Sequence, residues 1–260
     1  MKSVSLVRGT AYLSSRLFRH APRVYAALYA MYKHLSERNN IAIIRRAVKP
    51  GARVADIGAN VGFYTALLAQ CVGPGGCVYA FEPDETNFRR LVDGTTCYAQ
   101  VHPVRAAVTE SDGTVDLYVS EDLNVDHRTY DDDDESRTRI SVRGLSLDSF
   151  FRGTESSLGF IKMDIQGAEY QALLGMREIV SRSPNLQILM ELWPYVHDRF
   201  GVGVGTLLDV LESWGFEIRR VVGKRGGLGE RVSASTSLPE RGDPDFQFDV
   251  LCIRRGTLIE

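Results

Sequence analysis

The residues best suited by type and spacing to do chemistry fall in a few short blocks. The first, Val54-Ala-Asp-Ile-Gly-Ala-Asn-Val-Gly62, joins an apolar run to a helical pattern. Gly58 and Gly62 remove side chains where the chain must turn sharply and where a ligand must lie against bare backbone. The helix beyond offers unpaired N–H donors. The spacing is G-x-x-x-G preceded by Asp56, not the G-x-G-x-x-G that brings a pyrophosphate onto a helix end. A carboxylate there repels a pyrophosphate but suits the ammonium and sulfonium groups of S-adenosylmethionine. Glu82, twenty residues after Gly62 and at the end of the next apolar run, is placed to accept both ribose hydroxyls through one carboxylate, with Pro83 fixing the turn. Asn60, Tyr64, Thr65, Asn87 and Ala107 complete the candidate cofactor-binding set. A plain tight strand-to-helix turn is the alternative reading of the two glycines.

Methyl transfer from a sulfonium is an in-line displacement. A hydroxyl acceptor must be aligned with the methyl group and lose its proton as it reacts. Ligands of open α/β sheets sit beyond the carboxyl ends of the strands, and Asp164 ends an apolar run there, which makes it the first candidate catalytic residue. Capping the next helix or pairing with Lys162 are its structural alternatives. Glu191 and Trp193 end the following strand and are candidate substrate-binding residues, strand-end packing of Trp193 being equally open. His127, in the polar loop Leu123-Asn-Val-Asp-His-Arg-Thr-Tyr130, is a second candidate catalytic residue. It would act as a general base reaching over the site, with Asp126 to orient it and Arg128 beside it as further acceptor contacts.

Three blocks carry a family resemblance: Asp56-Ile-Gly-Ala-Asn-Val-Gly62, Phe81-Glu-Pro83 and, most specifically, Ile161-Lys-Met-Asp-Ile-Gln-Gly-Ala-Glu-Tyr170. Together they resemble the FkbM family of methyltransferases over roughly residues 50–195. The resemblance implies a class I methyltransferase fold and methylation of a hydroxyl on a sugar or secondary metabolite. It also strengthens the reading of the Asp-His-Arg loop as part of the site. One departure is Gln166, where the family usually carries Glu, so no role that needs a carboxylate belongs to that position.

The elements that must hold these residues read as an α/β chain, Rossmann-like, with a mostly parallel sheet. Strands are predicted at Arg53–Ile57, Cys77–Glu82, Gln100–Ala107, Gly159–Asp164 and Gln187–Leu192. Helices are predicted at Asn60–Cys71, Glu85–Val92, Glu169–Val180 and Gly205–Trp214. Strands at Glu217–Val222 and Phe248–Ile253 close the sheet, one of them antiparallel, and the Gly-rich stretch 223–235 reads as a loop. Val115–Val119 and Arg139–Val142 read as a hairpin around an acidic loop at 121–136. The expected organisation is a helical N-terminal cap over residues 1–47 and a methyltransferase domain over 48–260, with the hairpin inserted at about 109–145.

Composition bounds the function. Charged residues make up 25% of the chain and hydrophobic ones 44%, as in ordinary globular proteins. Residues 1–49 hold ten Lys and Arg against a single acid, Glu37. This basic segment is a candidate peripheral membrane contact, with a cap over the cofactor site as the favoured reading. No broad basic face or Asn-Pro-Pro-Tyr motif suggests a nucleic-acid substrate, so a small-molecule or glycan acceptor is expected, and a homodimer stays open. The acidic run Asp131–Glu135 lacks calcium-loop spacing and reads as solvated, so no metal site is assigned; one built from Asp164, His127 and Glu191 stays an alternative. Four cysteines without C-x-x-C spacing and no long apolar stretch point to a cytoplasmic protein. The competing functions are a NAD- or nucleotide-sugar-binding oxidoreductase, disfavoured by the missing G-x-G-x-x-G, and a nucleoside-binding subunit without turnover.

Overall fold

A computed structural model describes residues 22–120, 137–154, 156–223, 225–238 and 242–254. Its centre is an eight-stranded sheet built around the strands that the apolar runs mark. β1 (Arg53–Ile57), β2 (Cys77–Phe81), β3 (Val101–Val104), β7 (Phe160–Met163) and β8 (Gln187–Leu192) run parallel. β9 (Phe216–Val222), β10 (Gly227–Val232) and β11 (Phe248–Arg254) complete it in the order β10-β9-β11-β8-β7-β1-β2-β3. β11 is antiparallel to both its neighbours. A second sheet of three strands holds β4 (Ala107–Val108), β5 (Gly113–Ser120) and β6 (Arg137–Leu145), with β5 and β6 forming the expected antiparallel hairpin.

Both faces of the large sheet are apolar because both are covered. On one face, Val54, Phe160, Leu189 and Leu251 pack against α2 (Arg38–Ala47) and α3 (Phe63–Val72) through Ile43, Ile44, Leu68 and Val72. On the other, Ile57, Met163, Met190 and Val250 meet Leu173, Ile179 and Leu207 of α6 (Glu169–Leu174), α7 (Arg177–Ser181) and α9 (Val204–Ser213). α4 (Glu85–Thr95) follows β2, and its N-cap Asp84 accepts a hydrogen bond from the Asn87 amide at 2.8 Å.

Of the helical segment expected over residues 1–47, residues 1–21 lie outside the described residues, and the remainder forms α1 (Pro22–Ser36) and α2. Arg46 Nη2 donates to the Gly226 carbonyl at 2.8 Å, and the Gly226 amide donates to Asn39 Oδ1 at 3.1 Å, so α2 is pinned to the β9–β10 turn. Along α1, Val24, Leu28, Met31, Tyr32 and Leu35 form an exposed apolar stripe. Among the described residues no helix is long and apolar enough to cross a membrane.

Several elements differ from the sequence reading. The strand expected over Gln100–Ala107 is split: β3 stays in the large sheet, whereas β4 pairs with β6. The Ala106 amide turns back onto the Val104 carbonyl at the break. The helix expected over Glu169–Val180 is two, α6 and α7. The carboxylate of Asp148, on α5 (Leu147–Phe150), accepts hydrogen bonds from the Glu178 and Ile179 amides and so caps the first turn of α7 from outside. The stretch 223–235, expected as a loop, contains β10, paired with β9 through a register shift. The short helices α5 and α8 (Pro194–Arg199) are also unforeseen.

The β1–α3 turn shows why the first motif needs its glycine. Gly58 has φ 80°, and a Cβ added there would lie 2.0 Å from the Asp164 carbonyl oxygen. The constraint is therefore the backbone of the β7–α6 loop, rather than room for a ligand. Gly58→Ala should destabilise the fold by clearly more than the about 1–2 kcal/mol of a left-handed residue. Gly51→Ala is the control, since Gly51 has φ 77° with open space around an added Cβ and carries the conformational cost alone. Equal urea midpoints for the two variants would contradict the close approach.

Candidate active site

One cavity of about 370 Å³ opens beyond the carboxyl ends of the parallel strands, where an α/β sheet binds its ligands. Its two ends differ in chemistry. At one end Phe81, Pro83, Ala106, Ala107, Val108 and Leu117 form an apolar slot, and at the other stand Lys33, Glu37, Asn40, Lys162, Asp164, Glu191 and Asp249. Gly58, Asn60 and Glu82 lie between.

Glu82 is buried and held from both sides: Oε2 accepts from the Asn60 amide at 2.8 Å and Oε1 from the Asp84 amide at 3.0 Å. Each oxygen keeps acceptor capacity for a ligand. Burial, opposed by those two amides, pushes its pKa up to about 8. A carboxyl group whose charge is costly until further donors arrive, set between an apolar slot and a glycine turn, fits a nucleoside, whose vicinal hydroxyls would supply those donors.

Not all of the expected cofactor ligands line the cavity. Gly58, Asn60, Tyr64, Glu82, Pro83 and Ala107 do; Asp56, Gly62, Thr65 and Asn87 are absent from its lining. Asp56 is buried behind the turn and accepts from Thr65 Oγ1 at 2.6 Å, an interaction that ties β1 to α3. Gly62 packs against Leu91 of α4. Tyr64 reaches the polar end, where its hydroxyl donates to Glu37 Oε2 at 2.8 Å.

The polar end is organised around Lys162, a buried ammonium. Lys162 Nζ donates to the Met163 carbonyl at 3.3 Å, lies 3.8 Å from Asp164 Oδ2 and sits 5.1 Å from the centre of the Tyr64 ring. Burial works against its charge, but Asp164, Asp249, Glu191 and Glu37 hold its pKa above the ordinary value. Asp164 answers in kind. Burial alone would raise its pKa, yet Lys162, Lys33 and a hydrogen bond from Gln166 Nε2 at 3.1 Å hold it below the usual range. Gln166, in left-handed conformation with φ 54°, thus serves Asp164 as a donor, which a glutamate at that position could do only when protonated. Glu169 braces the same loop, with Oε1 accepting from the Ile165 amide at 3.2 Å and Oε2 lying 3.2 Å from His197 Nε2.

Of the expected acceptor-side residues, Asp164, Glu191 and Trp193 line this end. His127, Asp126 and Arg128 lie outside the described residues, as does the run Asp131–Glu135; β5 and β6, between which they fall, reach the cavity through Leu117. The sequence reading missed Lys33, Glu37, Asn40 and Asp249. Two of these left a signal: Glu37 is the lone acid of the basic N-terminal segment, and Asp249 the lone charge among Phe248–Ile253.

The model of the Methyltransferase FkbM domain matches residues 56–218. Over 34 residues the chain is 56% identical to the protein-L-isoaspartate O-methyltransferase of Aeropyrum pernix, a match that spans only 13% of each protein. Among solved structures, a Clostridium thermocellum protein assigned as an rRNA methylase superposes with a TM-score of 0.50 at 11% identity, covering 82% of this chain and 92% of that one. Aeropyrum pernix fibrillarin with natively bound S-adenosyl-L-methionine reaches a TM-score of 0.46 at 15% identity, over 82% of this chain and 73% of that one. At 11% identity the likeness to the Clostridium thermocellum protein is one of fold.

The buried acids predict a pH dependence. A carboxyl whose pKa folding raises keeps its proton in the native state at pH values where the unfolded chain has lost it. Its contribution is most favourable below the unfolded value near 4.5 and declines as pH rises towards about 8, the position of both Glu82 and Glu191. Urea denaturation of the ligand-free protein should show stability falling across that interval, and Glu82→Gln and Glu191→Gln should each flatten the fall. A profile unchanged in both variants would mean that neither carboxyl is perturbed.

Proposed function

The chain belongs to the FkbM methyltransferase family, and from that premise we propose that this S-adenosylmethionine-dependent methyltransferase methylates a hydroxyl group of a sugar or other small polar metabolite. The observation that carries this reading is a single cavity with Glu82 beside an apolar slot at one end and the Lys162–Asp164 pair at the other.

When bound, S-adenosylmethionine supplies an electrophilic methyl group on a sulfonium. In this reading Glu82 accepts the ribose hydroxyls, and Pro83, Ala107 and Val108 flank the base. The Gly58–Asn60 backbone faces the methionine part. Asp164 accepts a hydrogen bond from the acceptor hydroxyl and takes its proton as the C–O bond forms and the C–S bond breaks. Lys162 and Gln166 keep Asp164 ionised and fix its orientation for that task. A preheld carboxylate is adequate here because the leaving group departs neutral, so the acceptor oxygen needs alignment and a proton sink more than strong activation. The four cysteines, all free, are compatible with a reducing, cytoplasmic setting.

S-adenosylmethionine and S-adenosylhomocysteine should raise the melting temperature, while NAD should not. Stabilisation by NAD alone would overturn the assignment in favour of an oxidoreductase. Glu82→Ala should weaken S-adenosylhomocysteine binding by about 1.5–3 kcal/mol, the scale of hydrogen bonds to a charged group. With methyl-labelled cofactor and a panel of hydroxylated acceptors, the label should appear on oxygen. Asp164→Asn should cut that turnover by about 100-fold, as loss of a positioned base does. Label recovered on nitrogen would refute the hydroxyl reading without touching the cofactor assignment.

A further inference from the structure

The polar end of the cavity holds two carboxylates that the proposed chemistry does not use. Glu191 and Asp249 stand directly opposite each other on the antiparallel strands β8 and β11, so both side chains leave the same face of the sheet. Like charges in that register destabilise a sheet. The neighbouring cations are already engaged: Lys33 lies 3.0 Å from Glu37, and Lys162 lies 3.8 Å from Asp164. Four carboxyl groups therefore share two ammonium groups around one cavity, and ionising all four needs further positive charge.

An independent observation points the same way. Asn40 is only 2% exposed and lines this cavity. Its Nδ2 donates to Glu37 Oε2 at 2.9 Å, whereas its Oδ1 has no hydrogen-bond donor. A buried acceptor without a donor is costly unless a ligand supplies one. The surplus of carboxylates asks for positive charge and the amide oxygen asks for an N–H or O–H, and a protonated amine supplies both. Tyr29, Tyr32 and Trp193 add aromatic surface to the same wall, which attracts cations. Among the described residues no three His, Cys, Asp or Glu side chains form a group that could hold a metal ion, which favours an organic cation.

We propose that the acceptor carries, besides the hydroxyl that is methylated, a protonated amine seated between Glu191 and Asp249. The substrate class is then an amino alcohol in the broad sense, such as an aminated sugar or an aminated small metabolite. The inference rests on the methyltransferase reading above. An ammonium group has no lone pair, so it anchors the acceptor while the hydroxyl oxygen attacks the methyl carbon. The carboxyl groups are primed for such a partner. Burial, with repulsion from Asp164 and Asp249 and opposed by Lys162, raises Glu191 to about 8, and burial opposed by Lys162 and a hydrogen bond from Asn40, with repulsion from Glu37 and Asp164, raises Asp249 to about 6.

Ethanolamine hydrochloride, a minimal amino alcohol, tests this on the full chain saturated with S-adenosylhomocysteine, against ethylene glycol and against sodium chloride at equal ionic strength. Calorimetry and thermal shift should detect ethanolamine and neither control. Glu191→Gln/Asp249→Asn should weaken ethanolamine by about tenfold or more, the scale of lost hydrogen bonds to a charged group, while S-adenosylhomocysteine still binds. Ethanolamine no better than ethylene glycol on the wild-type protein, or undiminished in the double variant, overturns the proposal. Failure of S-adenosylhomocysteine to bind would instead strike the methyltransferase reading, and it is read in the same titration before ethanolamine is added.

Discussion

An ammonium group taken out of water at the carboxyl end of the central sheet sets the terms for everything around it. Lys162 is held on β7 between apolar neighbours on both faces, and a buried charge of that kind persists only where opposite charge and hydrogen-bond acceptors surround it. The acids that answer it come from four places in the chain: Glu37 between α1 and α2, Asp164 after β7, Glu191 on β8 and Asp249 on β11. None of these elements can shift far without uncovering the charge. The position of the N-terminal helices is thereby linked to the order of the sheet.

The same requirement joins the two ends of the cavity. Asp164 faces Lys162 with its carboxylate, and its carbonyl fills the space where any side chain at Gly58 would lie. The β1–α3 turn and the β7–α6 loop are thus fitted to each other through bare backbone. Asn60, two residues further on, donates its amide to Glu82, so the same turn links Glu82 to the loop that carries Asp164. Such continuity suits a reaction in which two ligands must be aligned along one line.

Charge balance at the polar end also explains why the N-terminal helices belong to the site. Residues matched by the family begin at 56 and end at 218, yet Lys33, Glu37 and Asn40 precede that span and Asp249 follows it. Glu37 gathers three donors, from Lys33, Asn40 and Tyr64, and so fastens the cap onto α3. The Glu82 end of the cavity is built from residues within the span, whereas the polar end combines Lys162, Asp164 and Glu191 from within it with residues from both sides of it.

The sequence by itself determined the local grammar of the molecule. Mainly apolar runs of four to seven residues marked β1, β7, β8 and β11 with at most two residues of error, because strands covered on both faces are built mostly from apolar residues. The glycine turn and Glu82 were legible because their chemistry is contained in a few adjacent residues. What the tertiary structure decided are partnerships across the chain: Asp148 capping α7 and so dividing one helical pattern into two, β4 leaving the large sheet for β6, and Asp56 turned towards Thr65 rather than the cavity. The pairing of Glu191 with Asp249 belongs to the same class, since strand order and register alone bring those acids together. Periodicity reports which face of an element is buried. It carries no information about which distant residue will stand opposite, and the polar end of this cavity consists of such meetings.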